Sequence, residues 1–284
     1  MKKEYRYKNK EWLKNALVKY KTVDKLCKEE KEAKTSIYRY IKLFQLKDFI
    51  EHPAQNKKYI FNDKFFQHID SEEKAYWLGM LMADGNVTNF DRKSYVTRIT
   101  LKEEDIYHVE KFCKAIDLDK NIYINKYKQG SITIHSKQMY MDLLKQGVLP
   151  QKTGKEKFPN LNDELTRHFI RGFFDGDGTI YARKQKNAKR KRSLCVIGFV
   201  CVNKEFLDDL LKVLYDKCKI KITNHFCPKK KVYECKTESI EYCKTIIDYL
   251  YKDASVYLKR KYSVAQDFLD KLSKSGRRSR KQIG

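Results

Sequence analysis

A chain of 284 residues, 41% of them hydrophobic, is long enough for a sizeable core and two or three structural units. Its 62 Lys and Arg against 37 Asp and Glu leave a formal charge of +25, far beyond what solubility needs. Such an excess points to a polyanion, because basic side chains on phosphates release condensed counterions; nucleic acid comes first and an anionic membrane surface second. A membrane span is excluded: the longest apolar runs, such as CVIGFVCV at 195–202, are far too short and read as buried strand. The start, MKKEYRYKNKEW, lacks the apolar stretch of a secretory signal and carries acids early, unlike a transit peptide. The eight cysteines include no C-x-x-C pair. A zinc site from His225, Cys227, Cys235 and Cys243 is conceivable, but reduced thiols packed in a cytoplasmic protein are the better reading.

Residues 1–48 predict a small all-α domain. Trp12, Leu13, Ala16 and Leu17 fall at helical spacing. A short helix over 22–30 turns Val23, Leu26 and Cys27 inward. A second, over 35–44, has Thr35 as N-cap and Ile37, Tyr40 and Ile41 as its buried stripe. This order is that of a helix-turn-helix, whose second helix would offer Ser36, Tyr38 and Arg39 to a major groove. The usual turn glycine is replaced by Lys31. A three-helix bundle without a DNA role is the alternative. Residues 49–72 read as a connector, with His52-Pro53 breaking any helix.

From residue 73 one unit occurs twice. In 73–160 a helix ends at Asp84-Gly85. Strands around 86–89 and 95–101 follow, then a helix over 104–116, strands at 122–127 and 131–135, and a helix over 137–146 stopped by Gly147. In 161–272 the order repeats: helix 162–176, strands 179–183 and 194–202, helix 203–217, strands 220–226 and 231–236, helix 238–251, and a terminal helix over 256–272. The fold class is therefore α/β (α+β), a pseudo-symmetric tandem αββαββα saddle behind a helix-turn-helix domain. The basic tail 273–284 has no core pattern and is expected to be disordered.

The two copies share an octet, LGMLMADG at 78–85 and RGFFDGDG at 171–178. Small residues four apart, Gly79/Ala83 and Gly172/Gly176, give each helix a strip without bulky side chains, so two backbones can approach closely. Glycine inside a helix costs about 1 kcal/mol relative to alanine, so these positions are not casual. If the helices meet, Asp84 and Asp177 converge. Two such carboxylates call for a cation, and Mg²⁺, which takes hard oxygen ligands and retains water, is the natural one. It would polarise a phosphodiester and lower the pKa of an attacking water. A single Asp-Gly would be only a capped helix end; the doubling reverses that reading.

These residues resemble the LAGLIDADG homing endonucleases of the single-chain, two-motif class, over both motif helices and most of 73–270. The resemblance implies a monomer acting as a pseudo-dimer. Asp84 and Asp177 would bind the divalent metal, with Mn²⁺ substituting, and the carbonyls of Ala83 and Gly176 would complete its coordination. Each four-stranded sheet would lie in the major groove of double-stranded DNA, the cut would leave short 3′ overhangs, and the biology would be intron mobility. A bacterial or phage setting is expected, with an organelle as the alternative. The sixth motif position is Met82 in one copy and Asp175 in the other, read as asymmetry of helix packing. Lys102 and Lys204, just past the second strand of each half, are candidates for the basic residue near the attacking water.

The second-half hairpin RKQKNAKRKR at 183–192 has seven basic residues in ten. Arg183, Lys184, Lys186, Lys189, Arg190 and Arg192 would track phosphates, with Gln185 or an arginine at base edges. Matching hairpins offer Arg92, Lys93 and Arg98, then Lys126 and Lys128, then Lys229, Lys230 and Lys231. The leading expectation is thus a metal-dependent, site-specific DNA endonuclease cutting a long, non-palindromic target, with an ancillary helix-turn-helix. A non-catalytic DNA-binding regulator and an RNA-splicing maturase on the same scaffold are the alternatives; an intein is disfavoured because the chain ends RKQIG, without His-Asn.

Overall fold

A computed structural model describes residues 5–46, 49, 59–90, 94–150, 154–184 and 193–280, the side chains of Phe90, Lys184, Ser193, Leu194 and 275–280 excepted. The chain divides into two compact units at Lys58/Tyr59.

The first unit is helical: α1 (Lys10–Tyr20), α2 (Val23–Glu30) and α3 (Lys34–Leu43). Asn9 and Thr22 cap α1 and α2 by accepting from Trp12 N and Lys25 N. Leu13, Leu17, Val23, Leu26, Ile37 and Ile41 form its core, with Cys27 and Tyr40 packed at the edge. Lys31 ends α2 at φ +52°, the left-handed conformation for which glycine is the usual choice. One expectation is corrected: α3 starts one residue earlier, so Ala33 is the N-cap, without a side-chain bond, and Thr35 lies in the first turn.

The second unit is the tandem repeat. Its first half runs α4 (Glu72–Asp84), β1 (Gly85–Phe90), β2 (Ser94–Lys102), α5 (Ile106–Ala115), β3 (Tyr123–Ile124), β4 (Gln129–His135) and α6 (Lys137–Lys145). The second runs α7 (Asp163–Asp177), β5 (Thr179–Lys184), β6 (Ser193–Cys201), α8 (Lys204–Cys218), β7 (His225–Cys227), β8 (Val232–Thr237) and α9 (Ile240–Tyr251), followed by α10 (Lys259–Arg280). Each half forms an antiparallel four-stranded sheet, in the orders β1-β2-β4-β3 and β5-β6-β8-β7. The fold is α+β, two such sheets in tandem.

Three elements depart from expectation. The strand expected over 122–127 keeps only Tyr123–Ile124 on the ladder. The strand expected over 220–226 shrinks to β7, because only His225–Cys227 finds ladder partners on β8, while Ile220 is drawn into the core. The terminal helix begins at Lys259 and continues to Arg280, so backbone expected to be disordered is helical that far.

The core centres on α4 and α7, packed on each other along their length. Every residue of α4 from Ala75 to Met82 is buried, as is α7 from His168 to Asp175. Helices buried all round belong in the middle of a domain, and the two sheets and α5, α6, α8 and α9 supply the covering layers. Both start with a capped, acidic first turn: Ser71 accepts from Lys74 N before Glu72 and Glu73, and Asn162 accepts from Leu165 N before Asp163 and Glu164. At their ends Gly85 and Gly178 are extended (φ −78° and −67°), not left-handed caps. Glycine is required there by crowding: a Cβ on Gly85 would lie 2.5 Å from the Leu81 carbonyl oxygen, and one on Gly178 would collide with that of Phe174. The chain therefore leaves each helix straight into the first strand of its sheet.

Candidate active site

Two backbones this close need glycine on both sides. A Cβ on Gly79 would run into the Phe169 carbonyl and sit 2.7 Å from Phe173 N; one on Gly172 would run into the Tyr76 carbonyl and sit 2.9 Å from Met80 N. The contacts are reciprocal, as in a two-fold interface folded into one chain. One turn further, a Cβ on Gly176 would collide with that of Ala83 and lie 3.2 Å from Asp84 Oδ2. The Asp84 carboxylate therefore rests against the last turn of the opposite helix.

Asp84 and Asp177 are the final residues of α4 and α7, and both are exposed, whereas Met82 and Asp175 two residues earlier are buried. A helix pair buried through most of its length thus ends in two solvent-facing acids. The third charged group here is one that the sequence reading missed. Lys261, on α10, is 4% exposed. Its ammonium donates to three carbonyls at the end of α7: Phe174 at 2.6 Å, Gly176 at 3.1 Å and Gly178 at 2.5 Å. Burial pulls this amine down to about 8, Arg260 pulls the same way, and Asp175, Asp84 and Asp177 oppose the fall by holding the proton on. Lys261 therefore lies within the electrostatic reach of both motif acids. Its signal was present: Leu258, Lys261, Ala265 and Phe268 follow helical spacing and are all buried, so Lys261 is a charge on an apolar stripe.

Behind this surface lies a buried polar network. Asp175, fully buried, accepts from Tyr251 OH (2.6 Å) at Oδ1 and from Tyr76 OH (2.8 Å) and Leu258 N (2.7 Å) at Oδ2. Burial raises its pKa, against the lowering by these donors and Lys261. Tyr76 also meets His108 Nε2 at 2.7 Å. Its single proton goes to Asp175, so His108 donates from Nε2 and is neutral; burial, then Lys111, pulls it down to about 3. At the start of the pair Arg171, with no exposed surface, donates to Glu72 Oε1 (2.6 Å), Val256 O (3.0 Å), Leu250 O (3.1 Å) and His168 Nδ1 (2.9 Å). Burial and the Arg171 charge hold His168 down at about 4.

The donor set at the helix ends is oxygen only, two carboxylates and backbone carbonyls, and among the described residues no three or more His, Cys, Asp or Glu side chains gather for a metal. Few hard ligands and an exposed mouth suit Mg²⁺, which keeps several waters, better than zinc. A Cβ on Gly176 would crowd the Asp84 carboxylate as well as Ala83, so glycine leaves that carboxylate open to the group. Of the two carbonyls expected as ligands, that of Gly176 also accepts from Lys261. The zinc alternative finds no support among the described residues: all eight cysteines are free, and Cys235 and Cys243 are buried.

The other candidates scatter over the outer surface. Arg98 is exposed on β2, its Nε 3.0 Å from Thr133 Oγ1, on a polar pocket of about 270 Å³ that Lys120, Asn121 and Asn125 also line. Lys126 stacks over Tyr127, and Lys128 pairs with Glu103 at 3.6 Å. Arg183 pairs with Glu238 at 2.6 Å, while Lys229 and Lys231 are exposed in the β7–β8 turn. Lys102 is exposed at the end of β2; Lys204 opens α8 and pairs with Asp208 at 2.6 Å. In the first unit Tyr38 and Arg39 are exposed and Ser36 is half-buried. Arg92, Lys93, Gln185, Lys186, Lys189, Arg190, Arg192 and the side chain of Lys184 fall outside the described residues.

Comparison with known proteins bears on this geometry. Residues 164–246 match the family model of the LAGLIDADG-like domain. No curated protein sequence matches. Among solved structures, the meganuclease I-SmaMI bound to uncleavable DNA is similar at a TM-score of 0.52 and 13% identity, over 70% of this chain and 90% of that one. I-SmaMI bound to uncleaved target with calcium ions gives 0.53 at 13% identity, over 72% and 92%. I-AabMI bound to uncleaved DNA gives 0.51 at 13%, over 71% and 91%. At such identity these structures speak for the fold, and the family match speaks for the sequence of the second half. Residues 164–246 thus carry the sequence of a LAGLIDADG-like domain, and the tandem unit has the fold of the LAGLIDADG meganucleases.

Proposed function

We propose that the protein is a site-specific DNA endonuclease that hydrolyses one phosphodiester in each strand of a long, non-palindromic duplex with a divalent metal, in the manner of a homing enzyme. The observation that carries this reading is the placement of Asp84 and Asp177 at the exposed ends of an otherwise buried helix pair, both within the electrostatic reach of Lys261. Asp84 and Asp177 would hold Mg²⁺, which when bound supplies Lewis-acid activation of water and phosphate. Lys261, anchored on three carbonyls, brings a fixed positive charge to where negative charge develops on the phosphate. The outer faces of the two sheets would enter successive major grooves, and the first unit would add a further DNA-binding module through α3. The relatives I-SmaMI and I-AabMI in complexes with DNA support the same assignment.

The test is cleavage. A library of plasmids carrying randomised inserts, incubated with the protein and Mg²⁺, should yield one family of linearised sequences. On that duplex Asp84→Asn and Asp177→Asn should each cut at least a thousandfold more slowly and bind within a few-fold of the unaltered protein. Both variants cutting at full rate would sink the assignment.

A further inference from the structure

Lys261 owes its place to the turn from which α10 starts, and that turn is held from inside the protein. The Leu258 carbonyl accepts from Lys261 N and Tyr262 N, both at 3.1 Å, so Leu258 is the foot of the helix. Its own N–H points inward to Asp175 Oδ2 at 2.7 Å. Asp175 is fixed in turn by Tyr76 of α4 and by Tyr251, the last residue of α9. Two elements thus fix a carboxylate carried by a third, and that carboxylate holds the residue just before a fourth. Upstream of Leu258 the ties continue, since Arg171 grips the Val256 and Leu250 carbonyls and Glu72 takes Ser255 N at 2.8 Å.

We infer that Asp175 and Tyr251 are positioning residues for the endonuclease site: through Leu258 they latch the start of α10 so that the Lys261 ammonium is presented at the ends of the motif helices. This deepens the reading of the site given above and rests on it. A carboxylate is the apt group. It accepts three bonds at once with no donor of its own to satisfy, whereas Met82 at the matching place on α4 can accept none of comparable strength. Two other ties reach the same turn, Lys259 N to Tyr107 OH at 2.6 Å and Arg260 Nε to Asp105 Oδ2 at 2.9 Å. Lys259 and Arg260 are themselves exposed, where water competes, so the fully buried bond of Leu258 is the one that fixes the turn.

The double variant Asp175→Met/Tyr251→Phe tests this in the intact chain. It replaces acceptor and donor together by apolar groups, the exchange that best spares stability, and Tyr76 can turn its proton to His108. Three measurements decide. Hydrogen exchange at the Leu258 amide should accelerate at least a hundredfold. Acetylation of Lys261 by an N-hydroxysuccinimide ester, followed by mass spectrometry, should accelerate at least tenfold. Single-turnover cleavage of the selected duplex should slow at least tenfold with affinity for that duplex within threefold. Asp175→Asn, which keeps one oxygen for Leu258 N, should restore cleavage to within about threefold of the unaltered protein. Unchanged exchange and labelling would overturn the latch, and so would faster exchange with cleavage at full rate. A protein that selects no duplex at all would instead remove the endonuclease reading, while the exchange and labelling results would still show whether the latch holds.

Discussion

The two halves of the repeat agree in backbone and disagree in chemistry. Gly79 matches Gly172, and Asp84 matches Asp177, so close packing and terminal acid are present in both. Yet Leu78 stands where the second copy has Arg171, and Met82 where it has Asp175, so each buried charge on α7 finds its partners across the pair, on Glu72 and Tyr76 of α4. The sheets differ likewise. In the same register, Arg98 lies between Asn86 and Thr133 in the first sheet, and Gly198 between Thr179 and Lys236 in the second. What repeats is close packing and a terminal acid; what differs is the buried charge on α7 and its polar partners on α4. Two unlike faces also suit two unlike half-sites.

The shared part can be broken most severely at the helix crossing. Gly172→Ala would drive a methyl into the Tyr76 carbonyl, and Gly79→Ala one into that of Phe169. Neither obstacle is a side chain that can swing away, so the helices must separate. The expected loss is about 3 kcal/mol, the upper end for overpacking, or a fall in Tm of roughly 6–12 °C for a unit of this size. Ala83→Gly, which removes an atom at the same seam, should cost only about 1 kcal/mol through helix propensity. Thermal unfolding checks both, and equal shifts for all three variants would show that the crossing tolerates separation.

Where the halves differ, Lys261 gives the next effect. Lys261→Met leaves three carbonyls without their ammonium donor and the two acids without a neighbouring cation. Cleavage should fall about a hundredfold, the scale of losing one fixed group that stabilises developing charge. Duplex affinity should change little, because a buried lysine bound to the protein's own carbonyls is not one that releases counterions from DNA. The measurement is single-turnover rate against affinity on the same duplex; a parallel fall in both would make Lys261 a binding residue.

The sequence exposed the repeated chemistry more readily than the one-sided chemistry, and the reason is physical. An octet with glycine and acid at fixed places states a local requirement twice, so Gly79, Gly172, Asp84 and Asp177 could be picked out and the αββαββα order followed from periodicity. Lys261 acts through carbonyls more than eighty residues away in sequence. In a lysine-rich chain it looks like its neighbours Lys259 and Arg260 until the apolar stripe of α10 is laid over it. Asp175 was legible as an oddity, an acid in a buried helix, but its donors Tyr76, Tyr251 and Leu258 come from three distant segments. The short β7 was missed for a related reason: Ile220 and Ile222 have strand-like spacing, yet Ile220 is buried in the core without a ladder partner.

The smallest effect is on stability in acid, and its larger part comes from His108 in the first half. His108 on α5 is fully buried against Trp77 and donates from Nε2 to Tyr76, and its Nδ1 has no hydrogen-bond partner among the described residues. Folded, it resists protonation until about 3, whereas in the unfolded chain it takes a proton near 6.5. A histidine depressed in this way costs nothing above pH 6.5. As pH falls below that value the unfolded state gains a proton that the folded state refuses, so stability is lost at about 1.4 kcal/mol per pH unit, or about 2 kcal/mol by pH 5. His168, held at about 4, works in the same direction. His108→Gln retains a donor for Tyr76 but cannot titrate. It should be less stable than the parent at pH 7 and lose less between pH 7 and pH 5, the gap between the two falls in Tm being roughly 4–8 °C. Parallel falls would mean that the acid sensitivity of this unit lies elsewhere, in carboxylates such as Glu72, which Ser255 and Arg171 hold low against the upward push of burial.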